Sequence, residues 1–167
     1  MLYAGNIGAK SLDVVVEAAR QLAGKPALFR HEKMCLMENC ATLPNVHFLP
    51  LQPEERLCEL LNLANLHVLP QSRGAADLVL PSKLGGMLAS GKPVLATADA
   101  GTELFEVLSG TAILVPAGDS VAMAREISSL VTEGTHPALG DGRKLAQSFD
   151  RDICLAKFCS LLEGSGD

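Results

Sequence analysis

The sequence predicts an α/β fold, a Rossmann-like doubly wound domain on a parallel sheet of about six strands. Three observations carry this. Short apolar runs alternate with helical stretches along the chain. Several runs, such as Ala112-Ile113-Leu114-Val115, are apolar at every position, as in strands covered on both faces. Glycine and proline punctuate the junctions. The 167 residues are 48% hydrophobic and 20% charged, enough for one full core and too apolar for a disordered chain. With no Trp, one Tyr and five Phe, that core is aliphatic.

The elements follow in order. Leu2–Ala4 reads as a strand and Gly5–Gly8 as a turn. Ser11 caps a helix through Leu22, with Val14, Val15, Ala18, Ala19 and Leu22 on one face. Ala27–Phe29 is a strand, Glu32–Thr42 a helix and Val46–Leu49 a strand. Pro53 opens a helix through Ala64 with Leu57, Leu60, Leu61 and Ala64 as its buried stripe. Leu66–Leu69 is a strand, followed by a long turn to Leu80. Ser82 caps a helix that Gly91 stops. Pro93–Ala98 and Ala112–Val115 are strands flanking a helix over Thr102–Leu108. Asp119 caps a helix to Glu133. A last long helix runs from about Arg143 to Leu162. The domain spans residues 1–163, and 164–167 form a frayed tail.

Fourteen basic residues against 19 acidic ones give a net charge of −5, which excludes a nucleic-acid partner relying on a basic stripe. Up to Lys83 there are 8 basic and 8 acidic residues, and beyond it 6 and 11, so an anion site fits the first half. Five cysteines without a C-x-x-C pair read as buried thiols in a reducing, cytoplasmic setting. No stretch reaches the length of a membrane span, and the start lacks the pattern of a signal peptide. His31, Cys35 and Cys40 approach helical spacing, but no fourth ligand follows, so no metal site is expected. His67 reads as a packed or partly exposed strand residue.

Doubly wound sheets bind ligands beyond the carboxyl ends of their strands, where helix N-termini collect. Three turns are candidates. Gly5–Gly8 lets backbone approach an anion, with Lys10 as a nearby charge; the same residues also suit an ordinary turn with a solvated lysine. Pro81-Ser82-Lys83 puts a cation at a helix start, where the dipole disfavours it; a bound anion resolves the conflict, and so does plain exposure. Leu49–Pro53 offers stiffened backbone that can read a base edge, or merely links a strand to a helix.

Taken together, NVHFLPLQPEERLCELLNLANLHVLPQ, AADLVLPSKLGGMLASGKPVLATADAGTEL and AILVPAGD, with LYAGNIGAKSLDVVVEAAR near the start, resemble the C-terminal half of GT-B-fold family 4 glycosyltransferases. The similarity is strongest to the colanic-acid and exopolysaccharide group. The resemblance implies two Rossmann-like halves facing across a cleft, an acceptor half and this nucleotide-sugar donor half. It implies retention of anomeric configuration, a nucleotide-diphosphate sugar as substrate, and no metal or other cofactor. It places Asn6 (where the family often has arginine) and Lys10 beside the donor diphosphate. It also places the helix headed by Ser82 and Lys83 at the phosphates, and the Leu51-Gln52 turn at the base. Of a glutamate pair frequent in the family, the second falls on Gly86 and the first on Leu78, beside Asp77, so a ribose acceptor is lost. Catalytic residues are not assigned.

The resemblance further implies that the acceptor half is missing. The C-terminal helix, carrying Leu145, Phe149, Ile153, Phe158 and Leu161, then folds onto its own core or meets a partner: an acceptor-domain chain or a second copy in a homodimer. The expected function is the donor-binding domain of a retaining glycosyltransferase of surface-polysaccharide synthesis, inactive in isolation. A non-catalytic nucleotide-binding module and one subunit of a split transferase are the alternatives.

Overall fold

The computed structural model describes residues 2–4, 9–22, 27–30, 43–48, 52–71, 80–133 and 139–163. Six strands form one sheet: β1 (Leu2–Ala4), β2 (Ala27–Arg30), β3 (Val46–Phe48), β4 (His67–Leu69), β5 (Val94–Thr97) and β6 (Ile113–Val115). All pairings are parallel, in the order β3-β2-β1-β4-β5-β6. That is the doubly wound order expected of a Rossmann-like domain. The helices are α1 (Ala9–Gln21), α2 (Leu57–Asn62), α3 (Leu84–Ala89), α4 (Glu103–Leu108), α5 (Ser120–Glu133), α6 (Gly142–Gln147) and α7 (Arg151–Glu163).

The all-apolar runs find their reason in two cores, one on each face. Val68, Leu95, Ile113 and Val115 meet α1 and α5 through Val15, Ala18, Ala19, Met123 and Ile127. Leu69, Val94 and Ala96 meet Leu84, Met87, Leu88, Leu104 and Leu108. Successive residues of β4 and β5 thus enter opposite cores, so neither strand tolerates a polar alternation. Asn45, buried just before β3, caps α1 from outside: its Nδ2 donates to the carbonyls of Ala19 at 2.9 Å and Leu22 at 3.3 Å. Leu22 N–H also donates to Ala19 O at 3.2 Å, and last-turn carbonyls are the ones a helix leaves short of partners.

His67 is fully buried at the start of β4. Its Nε2 lies 3.0 Å from Ser90 Oγ. The Ser90 hydroxyl donates its one proton to the carbonyl of Met87 at 2.6 Å, so the imidazole must be the donor between them. His67 is therefore the neutral Nε2–H tautomer, and its buried Nδ1 has no partner among the described residues. Burial, with nearby positive charge that includes Lys92, lowers its pKa from 6.5 to about 4.

Several local expectations are corrected. The first helix begins at Ala9, ahead of Ser11, because Ala and Lys are themselves good helix formers. After Pro53 the chain first winds a tight 3-10 turn, Glu54–Arg56, and α2 starts only at Leu57. That shift in phase leaves Leu57 at 40% exposure while Leu60 and Ala64 are buried. Ser82 does not cap α3. The chain enters through a turn in which Leu84 N–H donates to Pro81 O at 2.9 Å, and the cap position falls on Lys83, whose side chain does not cap the helix. Gly91, at φ 68°, ends α3 as expected; the Arg143 side chain lies where its Cβ would be. Thr102 and Asp119 cap their helices through Phe105 and Ala122 N–H. The helix expected over Glu32–Thr42 lies outside the described residues.

The long last helix is two. Asp150 Oδ1 accepts from the N–H groups of Asp152 at 2.9 Å and Ile153 at 3.1 Å, so it starts a new helix and interrupts the old one. α6 packs on α3, where Gly142 would bring a Cβ within 3.2 Å of Leu88 Cδ2, and Leu145 and Phe149 join the second core. Residues 151–161 of α7 are all exposed, with Ile153, Leu155, Phe158 and Leu161 between 43% and 70%. Cys154 and Cys159 ride with them and, like Cys58, are exposed rather than buried thiols. Among the described residues no helix is long and apolar enough to cross a membrane.

Candidate functional site

The order β3-β2-β1-β4-β5-β6 reverses between β1 and β4, so connections leave the sheet in opposite directions there. Such a switch point opens a crevice at the carboxyl edge. α1 follows β1 and the head of α3 follows β4, so the two helix starts flank this crevice. The topology therefore brings Lys10, in the first turn of α1, and Ser82 with Lys83 to one edge of the sheet. Gln52, partly exposed, follows β3 on the same edge. Asn6, Leu51 and Asp77 lie outside the described residues.

Ser82 is exposed and Lys83 half-buried. Burial pushes the Lys83 ammonium below the usual lysine range, as expected for a cation losing water at a helix start. Gly86 is exposed one turn further on, and a Cβ there would stand 3.3 Å from Leu61 Cδ1, the movable end of a leucine. A groove of about 820 Å³ runs along α3 from its head. Pro81, Ser82, Gly85 and Gly86 line one wall, and Arg143, Phe149 and Asp150 stand opposite. A Cβ at Gly85 would stand 3.7 Å from Phe149 Cβ, in ordinary contact across that groove. Among the described residues no three His, Cys, Asp or Glu side chains gather as metal ligands would.

Sequence reasoning missed how the edge is held. Thr97, the last residue of β5, bonds the backbone of Gln71 beyond β4, and Asp99 Oδ1 accepts from Ala117 N–H beyond β6 at 3.0 Å. The one sequence signal was a threonine closing an otherwise apolar run, Val94-Leu95-Ala96-Thr97.

Fold and edge together define a doubly wound domain whose strand order switches between β1 and β4. Residues 1–133 match the family model described as glycosyl transferases group 1, and the chain belongs to that family. It is 35% identical over 179 residues to the putative colanic acid biosynthesis glycosyl transferase WcaI of Escherichia coli K12, an alignment spanning 98% of this chain and 43% of that protein. Among solved structures it resembles Anabaena HepE in complex with UDP-glucose, with TM-score 0.74, 17% identity, and coverage of 98% of this chain and 48% of that one. It also resembles sucrose-phosphate synthase from Thermosynechococcus elongatus, with TM-score 0.75, 20% identity, and coverage of 98% and 44%. The chain thus spans under half the length of these relatives. The fold expected from the resemblance, one half of a GT-B architecture, stands.

Proposed function

We propose that these residues form the donor-binding domain of a retaining glycosyltransferase that takes a nucleoside-diphosphate sugar, without a metal, in surface-polysaccharide biosynthesis. The observation that carries the reading is the switch point flanked by two helix starts, each with a lysine in or beside its first turn. Backbone N–H groups and cations at such a place suit a diphosphate. HepE, with the same fold, was solved with UDP and with UDP-glucose, and WcaI carries a polysaccharide role in its name. In this reading Lys10, Ser82 and Lys83 meet the diphosphate, with Asn6 beside them. The Leu51-Gln52 turn lines the base, and Asp77 and Gly86 face the sugar and ribose.

The test is calorimetric titration with UDP, GDP, ADP and TDP. One of them binds with Kd between about 10 µM and 1 mM, or roughly −7 to −4 kcal/mol. Lys10→Ala and Lys83→Ala each weaken it while leaving Tm nearly unchanged. Amide shifts confined to surfaces away from 9–10 and 81–86 would overturn the placement.

Gly86 bears on a second reading, a non-catalytic nucleotide-binding module, because glycine has no side chain to accept from a ribose hydroxyl. Gly86→Glu restores an acceptor at an exposed position where only the end of Leu61 must give. Charge-assisted hydrogen bonds contribute about 1.5–3 kcal/mol, so the variant tightens nucleotide binding by roughly 10- to 150-fold. The gain vanishes with the 2′,3′-dideoxynucleotide. Equal affinity of both variants for the ribonucleotide would place the ribose elsewhere.

A further inference from the structure

The β1/β4 crevice has a wall that is held from outside it. β4 and β5 are in register through Leu69↔Ala96, and beyond that pair the strand ladder stops. Two residues past Leu69, Gln71 would leave its backbone unpaired at this lip. Instead Thr97 takes both groups: its Oγ1 accepts from Gln71 N–H at 2.6 Å and donates to Gln71 C=O at 2.9 Å. Only a hydroxyl, with one proton and two lone pairs, does both at one point. Thr97 is fully buried, so its own hydroxyl is committed to these two bonds rather than to water. On its other side the same strand exit is anchored, with Ala98 N–H donating to Val115 O at 2.9 Å and Asp99 accepting from Ala117. The clamp on Gln71 is therefore mounted on a fixed support.

We propose that Thr97 is a positioning residue for the ligand of the switch point: its hydroxyl fixes the backbone of Gln71 and thereby sets the β4 lip of the crevice. The proposal rests on the nucleotide reading given above. Thr97 itself stands one strand back from the crevice and touches no ligand.

The experiment compares Thr97→Val, Thr97→Ser and, as a stability control, Met123→Ala, which opens the core between α1 and α5 but keeps the Thr97 hydroxyl. The readouts are affinity by calorimetry for UDP, or for whichever of GDP, ADP and TDP the chain binds in its place, and exchange of the Gln71 amide by NMR. Thr97→Val weakens UDP by about tenfold or more, the equivalent of about 1.4 kcal/mol, and speeds Gln71 exchange. Thr97→Ser keeps the hydroxyl and stays within about twofold on both. Met123→Ala lowers Tm but leaves UDP affinity alone. Should Thr97→Val fail to fold, Thr97→Ala removes the same hydroxyl and is read in its place. Wild-type affinity in the variant lacking the hydroxyl would overturn this proposal alone, as would an equal loss in Met123→Ala. A wild-type chain that binds none of UDP, GDP, ADP and TDP would overturn the nucleotide reading and this proposal with it.

Discussion

Incubated with a nucleoside-diphosphate sugar and polysaccharide or lipid-linked acceptors, these 167 residues by themselves will bind nucleotide and transfer no sugar. Glycosyl transfer needs donor and acceptor held with their reacting atoms in line. On the proposed reading this chain holds only the donor. Well-oriented reactants gain effective molarities of about 10⁵ M or more, and a chain that fixes one partner forfeits that gain. The chain aligns with 43% of WcaI and 48% of HepE, so supplying the remainder of a full-length relative is the natural complement. A radiolabelled-sugar transfer assay checks the expectation. Turnover by this chain alone, lost in Lys83→Ala, would sink it.

Acid will cost this fold stability through one buried imidazole. His67 has a pKa of about 4 when folded against 6.5 when free, so the unfolded chain binds the extra proton first. The sign follows: the stabilisation is complete above about pH 7, and it is lost as pH falls from 6.5 toward 4. Each pH unit below the free value removes about 1.4 kcal/mol, or about 2 kcal/mol by pH 5 and about 3 kcal/mol in full. The cause is local. A proton on Nδ1 has no acceptor among the described residues, while Nε2–H already serves Ser90. Urea melts from pH 8 to pH 4.5 read the slope, and His67→Leu flattens it. An unchanged slope in that variant would assign the acid sensitivity to other groups.

Much of the fold was legible because parallel strands leave a strong trace. Val94-Leu95-Ala96 and Ile113-Leu114-Val115 are apolar at consecutive positions, as a strand between two cores demands. Helix ends were legible where a side chain makes the cap, as at Thr102 and Asp119, and where positive φ demands glycine, as at Gly91. They were misread where backbone alone sets the entry, as at Lys83. The break before α7 turned on one carboxylate, Asp150, whose capping role looks in sequence like any charged residue on a helix face. For the proposed site, the candidates that sit in a recurring motif, Lys10, Ser82 and Lys83, could be named from sequence. The support was not. Thr97 acts on Gln71 across 26 residues of sequence, and the lone threonine closing an apolar run marks one partner but not the other.

The strand order has a kinetic consequence. β1 with β2, β2 with β3, β4 with β5 and β5 with β6 join through chain segments of moderate length, and each pair is in register over three residues. β1 with β4 is different: Leu2 meets His67, a single register pair between residues far apart in the chain. The sheet is thus two locally wound triplets sharing one long-range seam, reinforced by α1 packing on α5. Closing that seam requires the largest loss of chain entropy before any contact repays it, so the docking of the triplets is the slow event in folding. The crevice lies at the mouth of the same seam. A ligand that bridges it therefore holds the two triplets together, and its grip is felt first in how slowly they part.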